Sequence, residues 1–201
     1  MPAAEPQGII LASASPRRSE LLEQVGVRFQ VIPSDTDEVL LAGETAEAHA
    51  VRLSRDKALE VARRQTIAGR WFIGSDTIVV LDGAILGKPA DAAAARAMLK
   101  SLSGRHHRVV SGYAVHDRVS GRTISAAVMT KVFFKELTSR EIEGYIATGE
   151  PFDKAGAYAI QGIGSFMIPR IEGSYTNVVG LPLCEVISGL EELGAIELFT
   201  G

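Results

Sequence analysis

Two hydrophobic periods alternate along the first half of the chain: short apolar runs typical of buried strands, and the wider apolar spacing typical of helices. Pro16 and Gly26 are placed to open and end the first helix, and Thr45 is placed to cap the second. The pattern predicts a strand at 8–13, a helix at 16–25, a strand at 27–33, an acidic loop at 34–38 and a helix at 46–64.

The second half of the chain adds hairpins to this alternation. Asp82-Gly83 is a turn signal between two apolar runs, and Thr138 with Glu141 forms a capping-box pattern. Because right-handed crossovers alone do not explain hairpins, the order predicts an α/β fold with a mixed sheet. The predicted elements are strands at 71–81 and 84–86, a helix at 92–102, strands at 107–117 and 122–135, a helix at 139–148, a strand near 165–171 and a helix from Pro182 to Gly194.

Composition and charge restrict the class of protein. The 201 residues are 46% hydrophobic and 22% charged, as in a globular chain, and we expect one domain over 1–201. A net charge of −3 provides no general attraction to nucleic acid or anionic membrane. No apolar run approaches ~20 residues, and the N-terminus lacks a signal-peptide pattern. We therefore expect a cytoplasmic protein without membrane or nucleic-acid partners.

The segment LASASPRRSELL places two arginines in the first turn of a helix, where the helix dipole favours acids. Backbone N–H groups, the hydroxyls of Ser13 and Ser15, and the guanidiniums of Arg17 and Arg18 are together suited to bind phosphate. The alternative is that both arginines are exposed and solvated. The residues alone leave these two interpretations equal.

Asp76 is an acid inside an otherwise apolar strand, which is costly unless the carboxylate is paired or used. It is suited to hold a divalent metal or to activate water; the alternative is an edge aspartate bonded to a nearby loop. The acidic loop at Asp37-Glu38 is a candidate to complete a metal site with Asp76, although such loops are usually only solvated. Lys57 lies on a polar helix face, where an exposed position is the ordinary expectation.

Two later segments are candidates for ligand contacts. The Asp82-Gly83 hairpin folds Lys88 back toward the Asp76 strand, where a lysine would neutralise phosphate charge unless it is an ordinary surface lysine. Glycines around Gln161 allow close approach of a flat ligand, and a glutamine can pair with a base edge. A tight connection between strands is the alternative for that segment.

The histidine pair and the cysteine are not predicted to contribute to a functional site. The pair His106-His107 lacks zinc-ligand spacing and is interpreted as surface. The one cysteine, Cys184, has apolar neighbours, which predicts a buried, inert thiol.

Taken in order, these segments resemble the Maf family of nucleoside triphosphate pyrophosphatases, from Leu11 to Leu183. Eight blocks in sequence are far more specific than any one of them. The blocks are LASASPRRSELL, DTDE, VRLSRDKA, GSDTIVV, LGKP, LSGRHHRV, DKAGAYAIQG and IEGSYTNVVGLPL. The resemblance implies an elongated mixed β-sheet flanked by helices, with two lobes and a central cleft, related to the inosine triphosphate pyrophosphatase fold.

The resemblance also implies an activity. The expected reaction is hydrolysis of a nucleoside triphosphate to the monophosphate and pyrophosphate, dependent on a divalent cation such as Mg²⁺, Mn²⁺ or Co²⁺. The expected protein is cytoplasmic and a homodimer. In the branch that hydrolyses dTTP and UTP, three positions match Arg18, Thr77 and Gln161 of this chain. A sister branch that prefers 7-methyl-GTP instead resembles SPWR, SDQ and a late glutamate.

The resemblance assigns a role to each candidate residue. Asp76 is expected to be the proton acceptor for water, and Glu38 with Asp76 is expected to hold the metal. Thr77 and Gln161 are expected to discriminate the base. The expected contacts to the triphosphate come from Ser13, Ser15, Arg17, Arg18, Lys57 and Lys88.

Two other classes remain as alternatives. One is a nucleotide-sensing regulator of cell division or septum formation with little turnover, which would need no pair of base and metal. The other is a nucleic-acid-binding protein that uses Arg17 and Arg18, against which the acidic net charge argues.

Overall fold

The computed structural model describes residues 8–199, which divide into two compact units. Unit 1 contains the described residues up to Asp76, together with Ser111–Val128 and those from Gly180 onward. Unit 2 contains Thr77–Val110 and Met129–Val179. The expectation of a single domain over 1–201 stays a prediction.

The elements follow the predicted alternation of strands and helices closely. Among residues 8–199, no helix is long and apolar enough to cross a membrane. The strands are β1 (Ile9–Leu11), β2 (Gln30–Val31), β3 (Trp71–Leu81), β4 (Ala84–Leu86), β5 (His106–Asp117), β6 (Thr123–Phe133) and β7 (Arg170–Glu172). The helices are α1 (Pro16–Gln24), α2 (Ala46–Arg63), α3 (Ala92–Leu102), α4 (Ser139–Ala147), α5 (Tyr175–Val179) and α6 (Leu183–Glu192).

The strands form one mixed sheet, as the pattern predicts. Its order is β2-β1-β3-β5-β6-β7, with β4 paired to β3. β1 is parallel to both β2 and β3, whereas β3 with β4 and β6 with β7 are antiparallel pairs. The parallel pairs follow from the helical crossovers after β1, and the β3–β4 hairpin follows from its Asp82-Gly83 turn.

In unit 1, helix α2 lies directly on the sheet because two glycines leave room for its backbone. A Cβ atom on Gly74 of β3 would overlap the backbone of Ser54, and one on Gly112 of β5 would overlap the carbonyl of Ala50. The buried face of α2 packs on apolar residues of the sheet, in a cluster that includes Ile10, Ala12, Ala58, Val61, Phe72 and Ala114. This close approach lets a side chain of α2 reach β3.

Unit 2 has a core of its own, formed where α3 and α4 pack on the sheet. Both helices begin as predicted, since Asp91 caps α3 and Thr138 forms a full capping box with Glu141 at α4. The largest buried members of this core include Leu99, Leu102, Phe134, Tyr145, Tyr158 and Met167.

Two predicted strands are wrong in extent. The strand at 27–33 is only Gln30–Val31, because the Val27 N–H bonds back to the carbonyl of Leu22 at the end of α1. The strand near 165–171 is instead a 3₁₀ helix over Ile163–Met167, followed by the short strand β7. The N–H of Ser165 donates to the carbonyl of Gly162 and that of Ile168 donates to the carbonyl of Ser165, so these groups do not take part in a strand ladder.

The predicted exposure is wrong for two residues, His107 and Cys184. His107 is buried rather than at the surface, with Nε2 2.6 Å from the hydroxyl of Tyr158. Burial lowers the pKa of His107 to about 4, with the neighbouring His106 adding to the shift, so the imidazole is neutral at pH 7. Cys184 is exposed rather than buried, because it lies on the outer face of α6 while Val186 and Ile187 face the core.

Candidate active site

The two arginines in the first turn of α1 have different environments. Nη1 of Arg18 donates to the hydroxyl of Ser13 at 2.9 Å, and Nε donates to the carbonyl of Gly180 at 2.8 Å. Arg17, by contrast, is half-exposed in the first turn. The alternative of two solvated arginines is therefore wrong for Arg18, whose guanidinium is hydrogen-bonded within the protein.

Ser13 and Ser15 differ in the same way. Ser15 occupies the N-cap position of α1, but its side chain makes no capping hydrogen bond. Its backbone N–H donates to the buried hydroxyl of Ser13 at 3.2 Å. Ser13 thus links the loop before α1 to the guanidinium of Arg18.

The charge of Arg18 is set by burial and by nearby acids. Desolvation lowers the pKa of Arg18, and the carboxylates of Asp76 and Glu38 oppose that effect, while Arg17 adds to it. Because an arginine begins from such a high pKa, the group stays cationic at neutral pH. The charges that interact at this part of unit 1 are therefore those of Arg17, Arg18, Glu38 and Asp76.

Lys57 is the centre of the acidic part of the site. Its ammonium donates to Oδ1 of Asp76 at 2.7 Å and to Oε1 of Glu38 at 2.6 Å. The side chains of Lys57 and Asp76 are each 9% exposed, whereas that of Glu38 is 57% exposed. The expectation of an exposed Lys57 is wrong: the polar face of α2 at this point is turned to β3.

The environment of Asp76 explains how a carboxylate is accommodated inside the protein. A buried carboxylate is costly without a partner, and the ammonium of Lys57 provides one. A buried carboxylate held in this way beside a small exposed acidic loop can accept a proton from a water molecule. The geometry therefore fits a base at Asp76 better than it fits an edge aspartate tied to a loop.

The two carboxylates also converge on one cation. The ammonium of Lys57 lies within hydrogen-bond distance of both, so their oxygens already surround a common positive charge. Within residues 8–199, no group of three or more His, Cys, Asp and Glu side chains could hold a metal ion. Magnesium is commonly bound by one or two carboxylates together with substrate phosphates and water, which suits Glu38 and Asp76.

Ser75 and Gly180 contact the candidate residues, although neither was predicted to be a site residue. The buried hydroxyl of Ser75 lies 2.9 Å from the carbonyl of Gly112 and 3.1 Å from that of Gly180. The carbonyl of Gly180 also accepts from Arg18. A single backbone carbonyl thus joins the helix start to the residue before Asp76, and only tertiary structure reveals it.

The remaining candidates lie in unit 2. Thr77 follows Asp76 directly in β3 and is half-buried, whereas Lys88 is exposed in the loop after β4. The carbonyl of Gly87 accepts from the N–H of Gly156 at 3.0 Å, which ties the Lys88 loop to the glycine-rich segment. Gln161 is half-buried in a bend just before the Ile163–Met167 helix.

Comparison with known proteins places the chain in a family. The family model described as Maf-like protein matches residues 8–193. The chain belongs to the Maf family. The match covers every candidate residue of both units.

Relatives named dTTP/UTP pyrophosphatase are similar to this Maf chain over nearly their whole length. One from Syntrophotalea carbinolica is 66% identical, covering 96% of this chain and 87% of that protein. One from Geotalea uraniireducens is 59% identical, covering 94% of this chain and 96% of that protein. One from Clostridioides difficile is 46% identical, covering 96% of this chain and 98% of that protein.

A solved structure is similar at lower identity. It is a nucleoside-triphosphatase, also named dITP/XTP pyrophosphatase, from Mycobacterium abscessus. It is 18% identical, with a TM-score of 0.43, and the match covers 92% of this chain and 97% of that one.

Proposed function

We propose that this protein hydrolyses dTTP and UTP to the nucleoside monophosphate and pyrophosphate. The carrying observation is the buried carboxylate of Asp76, paired with Lys57 in a chain that is 66% identical to a dTTP/UTP pyrophosphatase. Arg18, Thr77 and Gln161 support the pyrimidine branch. A binding protein without turnover has no need of a base paired with a metal, which argues against the regulator.

In this proposal, Asp76 orients a water molecule and takes its proton as the water attacks the α-phosphorus. The ammonium of Lys57 holds the carboxylate of Asp76 in place through the hydrogen bond between them. The half-exposed Arg17 binds phosphate oxygens, and its planar guanidinium favours two-point contacts. Lys88 neutralises negative charge on the leaving pyrophosphate.

Arg18 and the two serines are assigned to the start of α1 in this proposal. Arg18 has its Nε and one Nη nitrogen bound to Gly180 and Ser13, so it holds the helix start in place while adding positive charge. The N–H groups at the start of α1 and the hydroxyl of Ser15 face the phosphates in this proposal.

A divalent cation completes the proposed reaction. Glu38 and Asp76 hold it, and when bound it neutralises phosphate charge. One carboxylate oxygen of each residue is bonded to Lys57, and Glu38 and Asp76 are the residues that would hold the cation. Mg²⁺, Mn²⁺ and Co²⁺ are the candidate ions.

Base selection is assigned to Thr77 and Gln161. The side-chain amide of Gln161 has both a donor and an acceptor, as does the edge of uracil or thymine. A site whose polar groups are satisfied only by the correct base rejects others, because the wrong base leaves them unpaired. A cytoplasmic homodimer is the proposed state of the protein.

A substrate panel tests the proposal. We expect purified protein with Mg²⁺ to release pyrophosphate from dTTP and UTP at least roughly tenfold faster, as kcat/KM, than from 7-methyl-GTP. Coupled detection of pyrophosphate measures this, and chromatography identifies the monophosphate. A preference for 7-methyl-GTP would contradict the assigned branch, and binding without release of pyrophosphate would favour the regulator.

A further inference from the structure

The segment that carries Gln161 is held at both sides by two side chains of unit 2. On the side before Gln161, the N–H of Ala159 donates to the hydroxyl of Tyr145 at 3.3 Å. On the side after it, the N–H of Ile163 donates to Oε2 of Glu150 at 3.1 Å, and that of Gly164 donates to Oε1 at 3.0 Å. Gln161 therefore lies between two fixed points of the backbone.

The two anchors are themselves joined. The hydroxyl of Tyr145 donates to Oε1 of Glu150 at 2.9 Å, so that one carboxylate accepts three hydrogen bonds. Tyr145 is buried at the end of α4, which belongs to the rigid core of unit 2. Glu150 thus connects the Gln161 segment to α4 through hydrogen bonds.

The backbone next to Gln161 fits closely around this carboxylate. Gly162 has a φ of +75°, and a Cβ atom there would lie 2.8 Å from Oε2 of Glu150. A Cβ on Gly164 would lie 2.5 Å from the carbonyl of Ala159 and 2.8 Å from the hydroxyl of Tyr145. Glycine at both positions allows the segment to wrap the carboxylate.

The charge on Glu150 suits this purpose. Burial acts against the ionised form, but the N–H groups of Gly164 and Ile163 and the Tyr145 hydroxyl outweigh it, and they lower the pKa of Glu150. Lys154 adds a nearby positive charge, with its ammonium bonded to the carbonyl of Glu150 and to Asp153. The carboxylate is therefore ionised at neutral pH, and it accepts hydrogen bonds from the backbone of the segment.

We propose that Glu150 is a positioning residue for base recognition: its carboxylate fixes the Gln161 segment and so sets how tightly a pyrimidine base is bound. This inference rests on the proposed function, because it assigns Glu150 to the part of the site that Gln161 forms. It predicts an effect on nucleotides that carry a base, and none on the phosphate chemistry.

The test compares UTP with ribose 5-triphosphate, which has the same phosphates and no base. Glu150→Gln replaces one acceptor oxygen by an NH₂ group, which sets a donor against an N–H group of the segment. We expect KM for UTP to rise roughly fivefold or more with kcat changed less than roughly twofold, since the lost interaction serves binding of the base. For ribose 5-triphosphate, we expect kcat/KM to stay at the wild-type value.

A double-mutant cycle links the effect to Gln161. If Glu150 acts through Gln161, Glu150→Gln produces no further rise in KM for UTP in a Gln161→Ala background. Gly162→Ala is a second variant that disturbs the same contact from the backbone side, and we expect it to reproduce the pattern. Glu143→Gln is the matched control, because it removes an exposed carboxylate of α4 that pairs with Arg96 away from this segment.

Two results would overturn the inference. One is an equal loss on UTP and on ribose 5-triphosphate, which would indicate a general loosening of unit 2. The other is an undiminished effect in the Gln161→Ala background. Failure of the proposed function is distinguishable from both, because it appears in the wild-type protein as no release of pyrophosphate from UTP.

Discussion

Replacing Asp76 with asparagine lowers kcat for UTP hydrolysis roughly a thousandfold, the size of a typical general-base contribution. Asparagine keeps the shape of the side chain and can still accept from Lys57, but it cannot take a proton from water. Nucleotide binding is retained, because Arg17, Lys88 and the N–H groups at the start of α1, which are proposed to contact the phosphates directly, are unchanged. Steady-state kinetics gives kcat, and titration with a non-hydrolysable UTP analogue gives Kd.

The matched control for this variant is Asp117→Asn. Asp117 is also a buried strand aspartate of unit 1, and its carboxylate accepts from Nε and Nη2 of Arg70 at 3.0 Å. We expect this control to lose stability and to keep its kcat at temperatures where it remains folded. A wild-type kcat in Asp76→Asn would remove Asp76 as the base.

Replacing Lys57 with methionine lowers the free energy of unfolding by about 3 kcal/mol when no divalent cation is present, as expected for breaking a buried ion pair. The variant leaves the carboxylate of Asp76 buried without its ammonium, and it removes the bridge to Glu38. Urea denaturation followed by circular dichroism measures the change. Added Mg²⁺ is expected to restore part of the loss if Glu38 and Asp76 bind it, because a cation that binds only the folded state stabilises it.

Two controls separate charge burial from other effects. Arg55→Met changes an exposed residue of the same helix, so we expect a change within about 0.5 kcal/mol. The double variant Lys57→Met with Asp76→Asn removes both buried charges, and it is expected to be more stable than Lys57→Met alone. Equal stability of wild type and Lys57→Met would contradict the description of Lys57 as the partner that stabilises the buried carboxylate of Asp76.

Local signals in the sequence predict the fold well. The Asp82-Gly83 turn, the Asp91 cap and the Thr138 capping box each act within a few residues, and each lies where expected. The strand near 165–171 is largely replaced by the Ile163–Met167 helix, whose first two N–H groups donate to Glu150, a residue that no sequence pattern connects with this segment.

The contacts within the candidate site could not be predicted from the sequence. Lys57 lies 19 residues from both Glu38 and Asp76, and nothing in the spacing reveals that one ammonium joins them. Their meeting depends on Gly74 and Gly112, which let α2 rest on the sheet. A polar helix face predicts solvent exposure by default, and only the packing of that helix shows Lys57 to be buried.

Hydrolysis of UTP in ¹⁸O-labelled water tests the central claim most directly. With Mg²⁺ present, the products should be UMP and pyrophosphate in equal amounts, as measured by ³¹P NMR and mass spectrometry. The label should appear in UMP and not in pyrophosphate, because water attacks the α-phosphorus. Formation of UDP and phosphate, or label in the pyrophosphate, would contradict the proposed reaction.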